Sequence, residues 1–204
     1  MSMILSMGLG YLIGCISPSA WLSKKKQIDL TKEGTKNLGA TNTALVLGKK
    51  AGIFVMLFDI AKSFFSYRLA RLLFPQLTIA GILASFGAIL GHCFPVFMHF
   101  HGGKGLAAFG GLILAYEPWM FVAIVIPGVI LMILLNTGVA VPMLGCVLFP
   151  LFVYLSGGSL PELLAVAVCC GFIVATHWEN LQRAKEKKDI VNVGEFFSKV
   201  FGKK

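Results

Sequence analysis

A lysine set among three glycines is the first feature of this chain that can do chemistry. Residues 91–105 begin in an apolar run that contains His92. They end in Gly102, Gly103, Lys104 and Gly105. Glycine lets backbone N–H groups approach an anion, because no Cβ stands in the way. A lysine among such amides adds a point charge for a phosphate group, so these residues predict a phosphate site. The alternative is a flexible glycine hinge between two helices.

The spacing excludes a Walker A loop, since Gly105 and Leu106 follow Lys104 where that motif needs Ser or Thr. For His92 we consider two roles. It is either a buried, hydrogen-bonded imidazole or part of the substrate site.

A second polar cluster lies earlier, within a basic loop over residues 23–50. Its residues 34–42, called the first loop below, carry the groups that bind anions. The candidates are Thr35, Lys36, Asn37, Gly39 and Asn42. Hydroxyls, side-chain amides and lysines all donate hydrogen bonds to phosphate or hydroxyl oxygens. The alternative is a solvated basic loop that holds anionic lipid.

The third cluster covers residues 177–183, at the end of the last apolar segment. In a continuous helix His177 and Asn180 lie on one face and point into one site, and Arg183 adds a cation nearby. The alternative for His177 is an interfacial histidine that caps the C-terminus of its helix.

Composition indicates an integral membrane protein. Of the 204 residues, 57% are hydrophobic and only 13% are charged, and the mean hydropathy is +0.83. About a quarter of the residues in a soluble domain are charged, so this chain has too little polar surface to cover a soluble core. The spacing of the five cysteines does not suit a zinc site, and an odd number of cysteines within apolar runs argues against a disulfide framework. We therefore expect no metal site.

The hydropathy pattern predicts an all-α polytopic membrane protein with about seven transmembrane helices, in one integral membrane domain over residues 1–204. The apolar spans cover residues 3–22, 51–73, 77–100, 106–116, 119–135, 138–155 and 163–180. Crossing the hydrocarbon core takes roughly 20 residues, so the span at 106–116 is short and is a candidate for a broken or re-entrant segment.

The basic residues predict the orientation of these spans. Fifteen of the 18 lysines and arginines lie in the loop at 23–50, in the loop at 101–105 or in a charged tail at 183–204. Seven spans place these three segments on one face, and the opposite connections contain no lysine or arginine. Because basic residues accumulate on the cytoplasmic side, we predict an external N-terminus and a cytoplasmic C-terminus.

Two charged residues lie inside the second span. Asp59 and Lys62 are three positions apart, which places them on one face of a helix. Charged residues inside a membrane pair with each other or mark a functional site. We expect an Asp59–Lys62 pair, with a structural role favoured over a catalytic one.

The three clusters resemble the signature motifs of the bacterial acyl-phosphate:glycerol-3-phosphate acyltransferases, the PlsY family. Residues 34–42 are similar to that family's Gly-Ser-Gly-Asn-x-Gly-Ala-Thr-Asn loop. Residues 91–105 are similar to its Gly-His-x-x-Pro-x-Phe…Phe-x-Gly-Gly-Lys-Gly motif. Residues 177–183 are similar to its His-x-x-Asn-(Ile/Leu)-x-Arg motif. The resemblance covers essentially the whole chain.

Members of that family move a fatty acyl group from acyl phosphate to the first hydroxyl of glycerol 3-phosphate, giving lysophosphatidic acid and phosphate. The resemblance implies an enzyme of phospholipid synthesis in the bacterial cytoplasmic (inner) membrane, multi-pass, with its active site on the cytoplasmic face. Acyl phosphate is an activated mixed anhydride, so no cofactor and no covalent enzyme intermediate are required. Catalysis then depends on charge neutralisation and positioning.

The resemblance also implies roles for the candidate residues. Lys104 would hold a substrate phosphate together with the amides of its neighbouring glycines, and Thr35 and Asn37 would hold phosphate or hydroxyl oxygens. His177 and Asn180 would orient the acceptor or the acyl carbonyl, while a substrate phosphate oxygen would take the hydroxyl proton. The remaining candidates for substrate binding are Lys36, Gly39, Asn42, His92, Gly102, Gly103, Gly105 and Arg183.

Five positions depart from the family pattern. Thr35 replaces a serine and keeps the hydroxyl, whereas Lys36 replaces a glycine and adds a charge and a Cβ. Leu45 stands where the family usually has an arginine, and leucine cannot make a bidentate contact with phosphate. Lys187 and Asp189 stand where the third motif continues with glycine and glutamate. We therefore expect acceptor handling to differ more than donor handling.

The expected partners are acyl phosphate, glycerol 3-phosphate and membrane lipid. We expect no nucleic acid, because topology and anionic lipid explain the basic face. The sequence is compatible with a monomer and does not specify an oligomeric state. Two alternatives stay open: a paralogue that acylates a different hydroxyl or amine, and a non-catalytic membrane protein that binds or translocates lipid.

Overall fold

The computed structural model describes residues 1–186, 193, 194 and 198, and in these residues every regular element is a helix. The helices are α1 (Ser2–Gly14), α2 (Pro18–Lys26), α3 (Ala40–Leu47), α4 (Lys49–Leu73), α5 (Ala80–Cys93), α6 (Leu106–Tyr116), α7 (Pro118–Leu134), α8 (Ala140–Leu155), α9 (Leu160–Thr176) and α10 (Trp178–Lys185), with a 3-10 turn at Val96–Met98. The all-α prediction is confirmed. Contacts between Cα atoms group the chain into two compact units, Met1–Tyr116 and Glu117–Lys204.

The first predicted span is a helix with a break. α1 ends at Gly14 and α2 begins at Pro18, whose ring fits a first helical turn because the missing N–H would have no partner there. The Ser17 hydroxyl caps α2 by accepting a hydrogen bond from the Ala20 N–H at 3.3 Å. Together the two helices form the 25-residue stretch Ser2–Lys26, which is apolar enough to cross a membrane.

Small residues allow α1 and α5 to pack closely in the first unit. A Cβ at Gly10 or Gly14 of α1 would overlap the backbone of α5, and a Cβ at Gly87 or Gly91 of α5 would overlap the backbone of α1. Such residues are typical of helix contacts in membranes, where close packing drives association. The Ser6 hydroxyl adds a 2.6 Å hydrogen bond to the first carbonyl of α5.

The spans around the predicted phosphate site are partly as expected. α6 covers Leu106–Tyr116, the bounds predicted for the fourth span. α5 is shorter than the predicted span at 77–100: it ends at Cys93, because Phe94 precedes Pro95 and the residue before a proline is disfavoured in the α region.

The second unit contains α7 to α10. α9 begins with a capping box, in which the Ser159 hydroxyl accepts from the backbone of the first turn and the Glu162 carboxylate accepts from the Ser159 N–H at 2.9 Å. This reciprocal cap sets the start of α9 at Leu160, three residues earlier than the predicted span.

A bend of 57° at His177 separates α9 from α10. The Thr176 hydroxyl donates to the Ile173 carbonyl at 3.0 Å, and the His177 N–H is shared between the carbonyls of Ile173 and Val174 at 3.2 and 3.1 Å. The bond to Val174 has the i→i−3 pattern of a 3-10 turn, so it tightens the last turn and occupies a carbonyl that a continuing α-helix would use for the Trp178 N–H. The predicted uninterrupted helix over 163–180 was therefore wrong.

Within the described helices, two stretches are long and apolar enough to cross a membrane by themselves, Ser2–Lys26 and Ala80–Met98. α9 and α10 make a third if the bent pair is one span. α6, α7 and α8 are apolar but have 11, 17 and 16 residues. α4 has 25 residues and carries Asp59, Lys62 and Arg68 between its ends. The count of seven spans and their orientation stay predictions.

Candidate active site

Asn42 is the centre of the first loop. Its side chain is fully buried, and its Oδ1 accepts a hydrogen bond from the Thr35 N–H at 2.6 Å. Its Nδ2 donates to the carbonyls of Leu30 and Asn37, both at 2.8 Å. Two donors and one acceptor of this amide are therefore engaged inside the protein, so Asn42 shapes the loop instead of offering its amide to a substrate.

The side chain of Asn37 also holds the first loop in shape, through hydrogen bonds to Thr35 and Gly39. Its Nδ2 donates to the Thr35 carbonyl and to the Thr35 hydroxyl, both at 3.1 Å, and its Oδ1 accepts from the Gly39 N–H at 2.9 Å. The Thr35 hydroxyl is an acceptor in this arrangement, and no acceptor among the described residues takes its hydrogen. The half-buried Thr35 hydroxyl therefore fits a substrate-facing donor better than the Asn37 amide does.

The backbone of the first loop turns through the left-handed region twice. Gly34 has φ of +58° and Lys36 has φ of +56°, and the Lys36 side chain is exposed. A residue with a Cβ pays roughly 1–2 kcal/mol in this conformation. Lys36 therefore occupies a backbone position that favours glycine, the residue that the family pattern has there.

The glycine loop, residues 102–105, packs against the end of α5. The Gly103 N–H donates to the His92 carbonyl at 3.1 Å, and a Cβ at Gly102 would overlap that same carbonyl oxygen. A Cβ at Gly103 would overlap Nε2 of the His92 imidazole. Two of the three glycines are thus required by the contact with His92, and the Gly103 amide that we expected to bind phosphate has an internal partner.

Lys104 lies between these packed glycines and the start of α6. Its side chain is half-buried, Gly105 has φ of +85°, and α6 begins at Leu106. The first turn of a helix presents N–H groups without helical partners and a partial positive charge. The Lys104 ammonium and these amides therefore suit a phosphate group better than the Gly103 amide does.

The first loop and the glycine loop are in direct contact within the first unit. The Leu38 N–H donates to the Gly102 carbonyl at 3.2 Å, and the Ser19 hydroxyl donates to the Leu38 carbonyl at 2.7 Å. The structure therefore brings together two of the three predicted clusters. Of the departures from the family pattern, Leu45 is half-buried in α3, whereas Lys187 and Asp189 lie outside the described residues.

Behind the glycine loop lies a buried cluster of ionisable side chains. Lys62 Nζ lies 2.8 Å from Asp59 Oδ1 and 3.0 Å from His92 Nδ1, and His92 Nδ1 lies 3.2 Å from Asp59 Oδ1. Lys62 also donates to the carbonyls of Gly14 and Ile16 at 3.0 and 3.2 Å. The predicted pair is confirmed, and of the two roles considered for His92 the structure favours the buried, hydrogen-bonded one. The sequence did not predict that His92, 30 positions from Lys62 and 33 from Asp59, joins this pair.

The third cluster belongs to the second unit. His177 is buried, and its Nδ1 lies 2.9 Å from the Ile173 carbonyl, so the helix-capping role considered for this residue is present. Asn180 and Arg183 lie on α10 and are half-buried, three positions apart. Because His177 stands at the bend, its direction relative to Asn180 differs from the one expected for a single helix.

A groove of about 720 Å³ lies beside the first loop. It is lined by the end of α2, by residues between 27 and 31, by Leu38 and by residues between 97 and 101, including His99 and His101. The Thr31 hydroxyl and N–H donate to the Asp29 carboxylate, and these bonds lower the pKa of that carboxyl from its usual value. None of the candidate substrate-binding residues is part of this lining.

The described residues contain no group of three or more His, Cys, Asp or Glu side chains that could hold a metal ion. All five cysteines are free thiols.

Comparison with known proteins places the chain in a family. Residues 4–187 match the family model described as glycerol-3-phosphate acyltransferase. The chain belongs to the glycerol-3-phosphate acyltransferase family. The resemblance drawn from the three motifs is confirmed by this match.

Individual members of the family are similar over nearly their whole length. The glycerol-3-phosphate acyltransferase of Enterococcus faecalis (strain ATCC 700802 / V583) is 34% identical over 198 residues, covering 91% of this chain and 89% of the relative. That of Coxiella burnetii (strain Dugway 5J108-111) is 31% identical over 190 residues, covering 91% and 96%.

Two crystal structures of the family member PlsY are also similar. PlsY is described as an integral membrane glycerol 3-phosphate acyltransferase, and its glycerol 3-phosphate form has a TM-score of 0.84 and 27% identity over 93% of this chain and 94% of that chain. Its lysophosphatidic acid form has a TM-score of 0.82 at the same coverage. This glycerol-3-phosphate acyltransferase family member is therefore an all-helical membrane protein.

Proposed function

We propose that this protein transfers a fatty acyl group from acyl phosphate to the 1-hydroxyl of glycerol 3-phosphate, giving lysophosphatidic acid and phosphate for phospholipid synthesis. The observation that carries the proposal is the contact between the first loop and the glycine loop in a chain of this family. The hydrogen bond between the Leu38 N–H and the Gly102 carbonyl joins the first loop, which carries Thr35, to the glycine loop, which carries Lys104.

The reaction needs little from the protein beyond positioning and charge neutralisation. The acceptor oxygen attacks the acyl carbonyl, a new C–O ester bond forms, and the C–O bond to the phosphate breaks. The leaving phosphate keeps that electron pair, and one of its oxygens takes the hydroxyl proton. Lys104 and the first turn of α6 neutralise the phosphate, and the Thr35 hydroxyl donates to a substrate oxygen.

For the third cluster we propose that His177 and Asn180 orient the acceptor or the acyl carbonyl and that Arg183 adds positive charge for a phosphate. Asn42, Asn37 and Gly39 act on the substrate indirectly, by holding the first loop in shape. Lys36 is exposed on the same loop, where its charge attracts anionic substrates.

We further propose the finer topology that the sequence predicts. The protein is one integral membrane domain over residues 1–204, with seven spans in the bacterial inner membrane, an external N-terminus and a cytoplasmic active site. The placement of 15 of 18 basic residues in three segments on one predicted face supports this orientation.

Phosphate release from the purified protein in lipid tests the proposed reaction. Palmitoyl phosphate is supplied with and without glycerol 3-phosphate, and we expect release that requires the acceptor and falls by at least about 100-fold in Lys104→Ala, because the phosphate loses its main cation. Lys26→Ala, which removes an exposed lysine at the end of α2, is the matched control and should retain turnover.

Leu45 supports a second candidate function, acylation of a different hydroxyl or amine from the same donor. The family's arginine is missing at this half-buried position, and the neighbouring Val46 and Leu47 pack into a small apolar cluster. Acyl phosphate binding without glycerol 3-phosphate-dependent release would favour this candidate. Absence of binding of both compounds would favour the non-catalytic lipid-binding alternative.

A further inference from the structure

The buried cluster of Asp59, Lys62 and His92 has no task in the reaction described above, yet it contacts the glycine loop directly. Two groups of His92 contact the glycine loop, its backbone carbonyl and its imidazole ring. Its backbone carbonyl accepts the Gly103 N–H at 3.1 Å, and its imidazole Nε2 occupies the space that a Cβ of Gly103 would need. A movement of the His92 ring toward the glycine loop would therefore displace Gly103, the residue next to Lys104.

We propose that Asp59 and Lys62 are positioning residues for acyl transfer: they hold His92, and His92 holds the glycine loop with Lys104. The inference rests on the proposed function of that loop. Direct contact of the pair with a substrate is excluded by burial, since the side chains of Asp59 and Lys62 are each 2% exposed.

The Nδ1 atom of His92 lies between the side chains of Lys62 and Asp59. The Lys62 ammonium has three hydrogens and four acceptors within reach: Asp59 Oδ1 at 2.8 Å, the Gly14 carbonyl and His92 Nδ1 at 3.0 Å, and the Ile16 carbonyl at 3.2 Å. His92 Nδ1 either accepts from Lys62 or donates to Asp59 Oδ1 at 3.2 Å. In both cases the contacts at Nδ1 fix the plane of the imidazole, and Nε2 lies on the side of the glycine loop.

The carbonyls that bind Lys62 come from the break in the first span. Gly14 ends α1 and Ile16 lies between α1 and α2, so neither carbonyl is used by a continuing helix. A cation at the C-terminus of α1 is also favoured by the helix dipole. Lys62 thus joins α1, α4 and α5 at one point, and in a medium of low dielectric such ionic contacts are strong and sensitive to geometry.

The double variant D59N/K62M tests whether the Asp59–Lys62 pair positions the glycine loop or serves only as a structural ion pair. Both substitutions keep the side-chain size, and together they remove both charges, so no unpaired ion stays buried. Thermal unfolding should occur at a lower temperature than in the wild type, because the carbonyls of Gly14 and Ile16 lose the Lys62 donor. At a temperature where both proteins are folded, kcat should fall about 100-fold with KM for glycerol 3-phosphate changed by less than about threefold, because a displaced glycine loop misplaces Lys104 in the transition state.

Ser85→Ala is the matched control. Its hydroxyl donates to the Ser63 carbonyl at 2.9 Å, a buried hydrogen bond between the same two helices, α4 and α5, outside the cluster. This variant should keep wild-type kcat. A D59N/K62M variant with wild-type kcat would overturn the proposal and leave the cluster as a structural ion pair only.

Two variants of His92 test which ring nitrogen matters. Asparagine places an amide group, with its donor and its acceptor, near the position of Nδ1, whereas glutamine places one near Nε2. Positioning through Asp59 predicts that His92→Asn keeps at least about tenfold more turnover than His92→Gln. The reverse order would mean that Nε2 acts on the substrate, and it would overturn the proposal.

Hydrogen exchange of the glycine loop gives a readout that does not depend on turnover. We expect the Gly103 amide to exchange at least about tenfold faster in D59N/K62M than in the wild type, while amides of α5 keep their protection. Unchanged exchange of this amide would overturn the positioning role. A wild type that fails to use glycerol 3-phosphate would contradict the proposed function alone, since the exchange comparison still decides the role of the cluster.

Discussion

The first loop and the glycine loop are in contact through one backbone hydrogen bond, yet each is held in place by a different kind of interaction. In the first loop, the neutral amides of Asn37 and Asn42 bind backbone groups of the same segment. In the glycine loop, Lys104 is the one residue with a side chain. It is held from behind, by the backbone and the ring of His92.

This difference has a physical consequence for the two loops. A loop held by its own side chains keeps its shape when its surroundings change. A loop held by close backbone contact depends on the surface behind it, and here that surface rests on a buried Asp59–Lys62 pair. Substitutions in the glycine loop should therefore affect catalysis more strongly than substitutions in the first loop.

The largest effect is expected from Gly103→Ala. The new Cβ would overlap His92 Nε2, so either the loop or the ring must move. A displacement of about 1 Å at a catalytic group lowers turnover about 100-fold, and we expect at least that loss in the phosphate-release assay. Gly8→Ala is the control, because nothing lies within 4 Å of its Cβ position and alanine favours a helix. Turnover above a tenth of wild type in Gly103→Ala would contradict the close-contact explanation.

Asn42→Ala tests the first loop. The change leaves the Thr35 N–H and the carbonyls of Leu30 and Asn37 without their partner, and unmade buried hydrogen bonds cost about 1–3 kcal/mol each. We expect a loss of about 3 kcal/mol in the free energy of unfolding and a fall in turnover of about tenfold. Thermal unfolding and the same assay measure both quantities.

The neighbouring Thr41→Ala is the control for this change, because its side chain is exposed and lies in the same turn of α3. Equal losses in the two variants would show that the Asn42 amide does not organise the loop.

The two loops also differ in how far their sequence predicts them. Both were recognised from residue types, because glycines beside lysine and a Thr-x-Asn-x-Gly pattern carry chemistry that can be read locally. The bounds of α6 followed from hydropathy alone. The contacts behind the glycine loop could not be predicted, because Asp59 and His92 are 33 positions apart and meet only through helix packing.

Local competition for hydrogen bonds explains the other differences between sequence and structure. A helical pattern over 163–180 is sound by hydropathy, but the His177 N–H also binds the Val174 carbonyl and the Thr176 hydroxyl binds the Ile173 carbonyl, at the point where α9 ends. The Asn37 and Asn42 amides have the right chemistry for a substrate, but nearby backbone groups bind them first. Residue type predicted which groups cluster, whereas the direction in which each one points depends on the folded backbone.

Leu45→Arg tests whether a phosphate contact is missing next to the first loop, in α3, where the family has an arginine. In the glycine loop, Lys104 still provides a phosphate contact. A guanidinium at this position in α3 can bind phosphate bidentately. We expect the KM for glycerol 3-phosphate to fall about tenfold, equivalent to about 1.4 kcal/mol, with kcat changed little. Leu45→Lys supplies only a point charge and should give a smaller decrease. An unchanged or higher KM in Leu45→Arg would show that acceptor binding does not use this position.

The smallest effect is expected at Lys36, where the backbone of the first loop and the charge of the side chain can be separated. Lys36→Gly and Lys36→Ala both remove the charge, but only glycine accepts φ of +56° without strain. The glycine variant should therefore be more stable than the alanine variant by about 1 kcal/mol in thermal unfolding. Because Asn37 and Asn42 hold the loop from inside, neither variant should lose more than about threefold in kcat. A loss of kcat in Lys36→Ala but not in Lys36→Gly would mean that the shape of the first loop depends on the backbone at position 36. The Asn37 and Asn42 side chains would then hold the first loop less firmly than their hydrogen bonds imply, and the two loops would differ less.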